Sequence, residues 1–199
     1  MTRRGYLLAT LFTAALFIFL FAAVSLRAPR PRFTWNDSAS APIGLYRLTA
    51  VSHPPNGALV AITPTIQLAR FLAGRRYLPI GVPLLKHVVA RPGAQICRFG
   101  SRVTINGHAV AIALDRDSSG RPLPVWRGCR VVGRAELFLL NAAADSMDGR
   151  YFGPIPAAGL IGRATPILTR DAPDKRLHWR GIGVASAHPT PKKGQSPCR

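Results

Sequence analysis

Twenty-two consecutive uncharged residues, Gly5 to Leu26, constrain this chain more than anything that follows them. The run is rich in Leu, Phe and Ala and is bracketed by Arg3-Arg4 and Arg27. As a helix it rises about 33 Å at roughly 1.5 Å per residue, enough to cross a hydrocarbon core. A cleaved secretory signal is the competing reading, and Ala22-Ala23-Val24-Ser25 offers small residues for cleavage. The apolar region of such a signal is shorter, roughly 7–15 residues. The length favours an uncleaved signal anchor, with residues 1–26 as a cytoplasmic N-terminus and a transmembrane helix. Arg3 and Arg4 precede the helix and Arg27, Arg30 and Arg32 follow it, so flanking charge does not decide the orientation.

The remainder of a 199-residue chain has room for one domain of average size. Residues 27–35 (RAPRPRFTW) read as a proline-broken basic connector, with Phe33 and Trp35 suited to a membrane interface. Only fourteen residues lead from Leu26 to Ser40. Fully extended they reach about 46 Å, so Ser40 is expected close to the bilayer surface. The chain carries 27 Lys+Arg against 8 Asp+Glu, a formal +19, which favours anionic partners. The arginines are scattered rather than gathered into a stripe, so nucleic acid is not expected as a partner, whereas membrane lipid is. Eighteen Gly, eighteen Pro and many short apolar runs point to a mostly β fold with frequent turns.

Strands are expected at Leu45–Leu48, Ala58–Ile62, Pro83–Ala90, Ala94–Cys97, Arg102–Ile105, His108–Ala113, Glu136–Leu140 and Leu160–Leu168. Asn106-Gly107 marks a hairpin turn, Thr65–Ala73 a helical turn and Asp115–Pro124 a polar loop. Residues 170–199 read as a basic, disordered tail. Cys97 and Cys129 occupy strand-like positions 32 apart, a spacing that fits no common zinc pattern. They are either one disulfide formed in an oxidising compartment or two buried reduced thiols, with Cys198 left over. The histidines form no metal-spaced cluster, and neither a metal nor a cofactor is expected.

Three stretches can carry chemistry. Asn36 to Tyr46 places Ser38 and Ser40 in a turn constrained by Pro42 and Gly44. Lys86 interrupts an apolar strand, sharing one face with Leu84 and Val88 while Leu85, His87 and Val89 share the other. A lysine so placed either snorkels to water or is desolvated. Desolvation lowers its pKa and makes it a general base for a serine hydroxyl, a Ser–Lys dyad. His87 offers a Ser–His–Asp alternative, but from the opposite face, so only one of the two can meet Ser40. The third stretch is Ser146-Met147-Asp148-Gly149-Arg150-Tyr151-Phe152-Gly153.

In order and rough spacing, S-x-P-x-G-L-Y, L-L-K-x-V-V-A-x-P-G and S-x-D-x-R-Y-F-G behind an N-terminal anchor resemble the type I signal peptidase family. The form Ser40-Ala41-Pro42-Ile43-Gly44-Leu45-Tyr46 is most similar to its conjugative-transfer, TraF-type branch. The resemblance implies a signal-peptidase-like β domain at 36–169, with a smaller non-catalytic β insertion at about 93–133 carrying the cysteine pair. It implies Ser40 as nucleophile, Lys86 as general base and Ser146 as the hydroxyl that orients the lysine. Asp148 and Arg150 become the charged pair bracing that loop, and Ser38 helps the Ser40 N–H form an oxyanion hole. Three departures stand out. Proline follows Ser40 by two residues rather than three, which leaves Ser38 as a competing nucleophile. Ala94 stands where an acidic residue is usual, and Gly149 where serine is common. The implied function is a serine endopeptidase of the bacterial inner membrane with its catalytic domain on the periplasmic side. It would process exported precursors such as a conjugative pilin, by hydrolysis or by cyclisation through an attacking amine. The rival is a non-enzymatic, membrane-tethered basic component of a transfer apparatus.

Overall fold

The computed structural model describes residues 3–26 and 32–182, in two compact units that divide between residues 31 and 32. The first unit is α1 (Arg3–Leu26), one helix long and apolar enough to cross a membrane. Its two internal threonines return their protons to helical carbonyls: Thr10 Oγ1 donates to Tyr6 O and Thr13 Oγ1 to Ala9 O, at 2.8 and 2.6 Å. Neither hydroxyl is left for a lipid tail that cannot accept it.

The second unit runs β1 (Phe33–Asn36), β2 (Ile43–Thr49), β3 (Leu59–Ile62), α2 (Ile66–Gly74), β4 (Leu84–Ala90), β5 (Gln95–Phe99), β6 (Arg102–Ile105), β7 (His108–Ile112), β8 (Gly128–Val131), β9 (Glu136–Leu140), α3 (Gly149–Phe152), β10 (Ile155–Pro156), β11 (Leu160–Arg170) and β12 (His178–Trp179). The strands form two antiparallel sheets, and the fold is mostly β. One has the order β1-β2-β11-β3-β4-β9-β10, with β12 paired to β11; the other has the order β7-β6-β5-β8. The smaller sheet is entered and left through paired bonds, Gly93 N–H to the Val132 carbonyl and Val132 N–H to the Ala94 carbonyl. Its β6–β7 hairpin turns at Asn106-Gly107, both at positive φ (48° and 83°) as a type I′ turn requires. The Cys97–Cys129 disulfide closes the directly opposed pair of β5 and β8.

β9 shows how the two sheets share apolar material. Strand alternation sends Leu137 and Leu139 into one core with Val60, Ile62, Leu84 and Val88. Phe138 and Leu140 go to the other side, with Ala90, Ile96, Val103 and Val132. Each such fully buried side chain contributes about 1.5–3 kcal/mol. β4 lies between β3 and β9 with Lys86 opposite Val60, so the lysine stands in mid-sheet in the row of Leu84 and Val88.

The structure differs from the sequence reading at both ends of the domain. Phe33 and Trp35 are not connector but edge strand, because β1 pairs with β2 from Phe33↔Arg47 to Asn36↔Gly44. The chain also stays ordered past Arg170. β12 pairs Leu168↔Trp179 and Thr169↔His178, and Arg180 donates to Thr169 Oγ1 at 3.2 Å and to Asp171 Oδ1 at 2.7 Å. Composition hides this, since the backbone of an eleven-residue β11 recruits a polar segment whatever its side chains. The rest of the expected tail, with Cys198, and connector residues 27–31 lie outside the described residues.

Candidate active site

The turn between β1 and β2 is held open by a side chain. Asn36 is buried at the end of β1; its Nδ2 donates to the carbonyls of Ser38, Ala41 and Pro42 at 2.8, 3.1 and 3.0 Å. Its Oδ1 accepts the Ser38 N–H at 3.1 Å. Tyr46, wholly buried, donates its hydroxyl to the Pro42 carbonyl at 2.5 Å. Gly44, at φ 142°, lets β2 pass against β11, because a Cβ there would strike the Leu168 carbonyl oxygen. The result is a loop that exposes Ser38 and leaves Ser40 half-buried.

Lys86 meets this loop from the core. Only 4% exposed, its Nζ lies 2.7 Å from Ser146 Oγ and 3.2 Å from Ser40 Oγ. Burial lowers its pKa from 10.5 to about 8, against the opposing pull of the Asp148 carboxylate. Ser38 Oγ sits 3.0 Å from Ser40 Oγ and accepts the Ser40 N–H at 3.4 Å. His87, pointing the other way, hydrogen-bonds through Nδ1 to Asn141 Oδ1 at 3.1 Å. It has no carboxylate partner among the described hydrogen bonds and does not touch Ser40, so the geometry lacks a Ser–His–Asp triad.

The loop carrying Ser146 is clamped by a buried ion pair. Arg150 Nε lies 2.8 Å from Asp148 Oδ1, and the two side chains are 3% and 0% exposed. Such a pair is tolerable only when its remaining hydrogen-bonding capacity is used. Asp148 Oδ2 accepts the Asn141 N–H at 2.9 Å and Oδ1 the Arg150 N–H at 3.2 Å, which caps α3. Arg150 in turn donates to the carbonyls of Asn141 and Ala144 at 2.5 and 3.2 Å. Gly149 follows from the packing: a Cβ there would come within 2.6 Å of Phe138 Cε2 and 2.8 Å of the Leu139 carbonyl oxygen. The phenylalanine of β9 occupies the room a serine side chain would need.

Ser38, Ser40, Lys86 and Ser146 border a cleft of about 300 Å³, whose apolar wall includes Leu72, Leu78, Leu84, Leu114, Leu123 and Met147. A neutral amine held between two hydroxyls at the floor of an apolar cleft can take a proton from one while the other fixes its lone pair. The sequence reading missed two residues beside this site. Asn141 donates Nδ2–H to Ser40 Oγ at 3.3 Å from 101 positions away. Arg98, 1% exposed, donates to the carbonyls of Gly100, Pro124 and Arg150 at 3.1, 3.2 and 2.5 Å, tying β5 to α3. In sequence Asn141 merely follows the apolar strand β9 and Arg98 interrupts β5, positions where polar residues ordinarily face water.

The signal peptidase family, peptidase S26, matches residues 4–169. The chain is 39% identical over 145 residues to a probable conjugal transfer protein TraF of Sinorhizobium fredii, covering 67% of this chain and 76% of that one. It is 34% identical over 178 residues to a conjugal transfer protein TraF of Agrobacterium tumefaciens, covering 84% and 97%. A signal peptidase I crystal structure from Enterococcus faecalis aligns at 17% identity and a TM-score of 0.36, over 58% of this chain and 100% of that one. With the match running from the apolar helix through most of β11, the chain belongs to the signal peptidase family, peptidase S26, with TraF proteins among its relatives.

Proposed function

We propose that this protein is a membrane-anchored serine endopeptidase working through a Ser40–Lys86 dyad. The observation that supports it most is the environment of Lys86, a buried amine of pKa about 8 whose side-chain hydrogen-bond partners are two serine hydroxyls. One of these, Ser40, stands at the cleft. Neutral Lys86 accepts the Ser40 proton as Oγ attacks the scissile carbonyl, and Ser146 keeps the amine pointed at Ser40. The Ser40 N–H, which donates to Ser38 Oγ in the resting site, and the Ser38 hydroxyl are the donors that turn to the developing oxyanion. The ammonium returns its proton to the leaving amine, and water, deprotonated by the same lysine, releases the acyl group. The contact of Lys86 with Ser40, and not with Ser38, supports Ser40 as the nucleophile.

The TraF names of the relatives support a substrate from conjugative transfer, and the candidate is a pilin precursor. The anchor then lies in the inner membrane and the catalytic domain in the periplasm, a compartment in which the Cys97–Cys129 disulfide persists. The test is expression of the full chain with the pilin precursor of its own transfer system, read by mass spectrometry of the product termini. Wild type yields a shortened product, open if water is the acceptor and cyclic if an amine is. Unchanged processing by Ser40→Ala or by Lys86→Met overturns the dyad.

A further inference from the structure

Ser40 Oγ has a third neighbour that a two-residue mechanism does not employ. Asn141, 4% exposed, follows β9 and projects its carboxamide between β4 and the serine turn. Every hydrogen-bonding position of that carboxamide is taken. Oδ1 accepts the His87 backbone N–H at 3.2 Å and faces His87 Nδ1 at 3.1 Å. Nδ2 donates one hydrogen to the Leu85 carbonyl at 3.0 Å and the other to Ser40 Oγ at 3.3 Å. The orientation of the amide follows from its backbone partners. Turned over, its NH2 would oppose the His87 N–H and its oxygen the Leu85 carbonyl. With Oδ1 as acceptor, the imidazole carries its proton on Nδ1. The backbone of Asn141 is held equally well, its N–H by Asp148 and its carbonyl by Arg150.

The geometry points to Asn141 as a further catalytic residue, whose fixed N–H stabilises negative charge on Ser40 Oγ while the proton passes to Lys86, with His87 as the positioning residue that locks the amide. The inference rests on the Ser–Lys peptidase reading. An N–H that needs no reorientation during reaction favours the charged form of its acceptor over the neutral one. Because it contacts the nucleophile and not the substrate, its removal appears in kcat and leaves KM unchanged. The same bond is broken and remade when the acyl group leaves, so acylation and deacylation both depend on it. His87 therefore acts in the site from the far face of its strand, through the amide rather than as a base.

The experiment uses the full chain in detergent micelles and an internally quenched peptide with alanine before the scissile bond. Four variants are compared with wild type: Ser40→Ala, Asn141→Ala, Asn141→Asp and His87→Phe. Asn141→Ala is expected to lower kcat about 100-fold at unchanged KM, the range measured for a single preorganised donor. Asn141→Asp keeps the shape and the acceptor for His87 but replaces the donor by a carboxylate beside Lys86. It lowers kcat at least as much and moves the acid limb of the pH–rate profile upward, because a nearby negative charge favours the ammonium. A residue that only filled space would leave that limb in place. His87→Phe retains the backbone N–H and lowers kcat about tenfold, again at constant KM. If Asn141→Ala does not fold, Asn141→Asp and His87→Phe decide. Wild-type kcat and an unmoved acid limb in the folded Asn141 variants, with Ser40→Ala inactive, overturn this inference and leave the peptidase intact. Activity in Ser40→Ala overturns both.

Discussion

Two buried cations divide the labour of this domain. Lys86 in β4 and Arg98 in β5 are 4% and 1% exposed, and neither has a carboxylate hydrogen-bond partner among the described residues. Their surroundings differ. Burial brings the Lys86 pKa down to about 8, and the hydroxyls it faces, which can donate as well as accept, satisfy the neutral amine as well as the ammonium. Arg98 faces three carbonyls, which only accept, and a guanidinium remains a cation throughout the pH range of folded proteins. Burial thus turns one residue into a base and the other into a permanent tie between the smaller sheet and the helix that follows Asp148. What burial does to a positive residue depends on how readily its side chain gives up the proton and on whether its neighbours can serve the neutral form.

The comparison breaks most visibly at Lys86. Lys86→Met is expected to reduce turnover on the order of 10⁴-fold while the variant melts at or above the wild-type temperature at pH 7, since an apolar isostere replaces a costly buried charge. A large fall in melting temperature would show that the lysine holds the fold instead. Arg98→Met is the mirror case. Three carbonyls lose their donor, and the expected loss is about 4 kcal/mol of stability, with KM unchanged in the protein that remains folded. A denaturant midpoint equal to wild type would remove Arg98 from the framework.

A pH series sharpens the contrast. The folded pKa of Lys86, about 8, lies below its ordinary value of 10.5, so between those values the unfolded chain holds the extra proton. Stability therefore rises with pH across that window, by about 3 kcal/mol in full. Wild type should therefore gain on Lys86→Met from pH 7.5 to pH 10, closing or reversing the gap seen at pH 7; a constant difference would mean an undepressed lysine. The same depression sets the acid limb of kcat/KM near pH 8, activity falling below it as the amine protonates. The smallest effect belongs to Gly149→Ser, which drives a side chain toward Phe138 and costs about 2 kcal/mol. Adding Phe138→Leu should recover part of it in calorimetry, and no recovery would place the clash at the Leu139 carbonyl alone.

Much of this site is legible along the chain because it obeys local rules. The alternation of β4 puts Lys86 with Leu84 and Val88, and the core that receives them is apolar. The Asn106-Gly107 turn follows from two positive φ values that Asn and Gly accept. The three stretches carrying Ser40, Lys86 and Ser146 stand out by residue type, and the apolar run before them needs nothing but its length and composition. The ends of the domain were less readable. β1 and β12 are too short to stand out as strands along the chain, and exist because a neighbouring backbone offers them partners.

Other features belong to the tertiary structure alone. That Lys86 rather than His87 reaches Ser40 depends on a contact across 46 positions, and the amide of Asn141 reaches the same oxygen across 101. Asn36, Asn141 and Arg98 look in sequence like polar residues free to face water. They are buried because folding brings them carbonyls and N–H groups from distant segments, and a buried polar group persists only where such partners converge. Apolar burial is a property of a residue and its spacing, which a sequence displays; polar burial is a property of partners, which only the fold assembles.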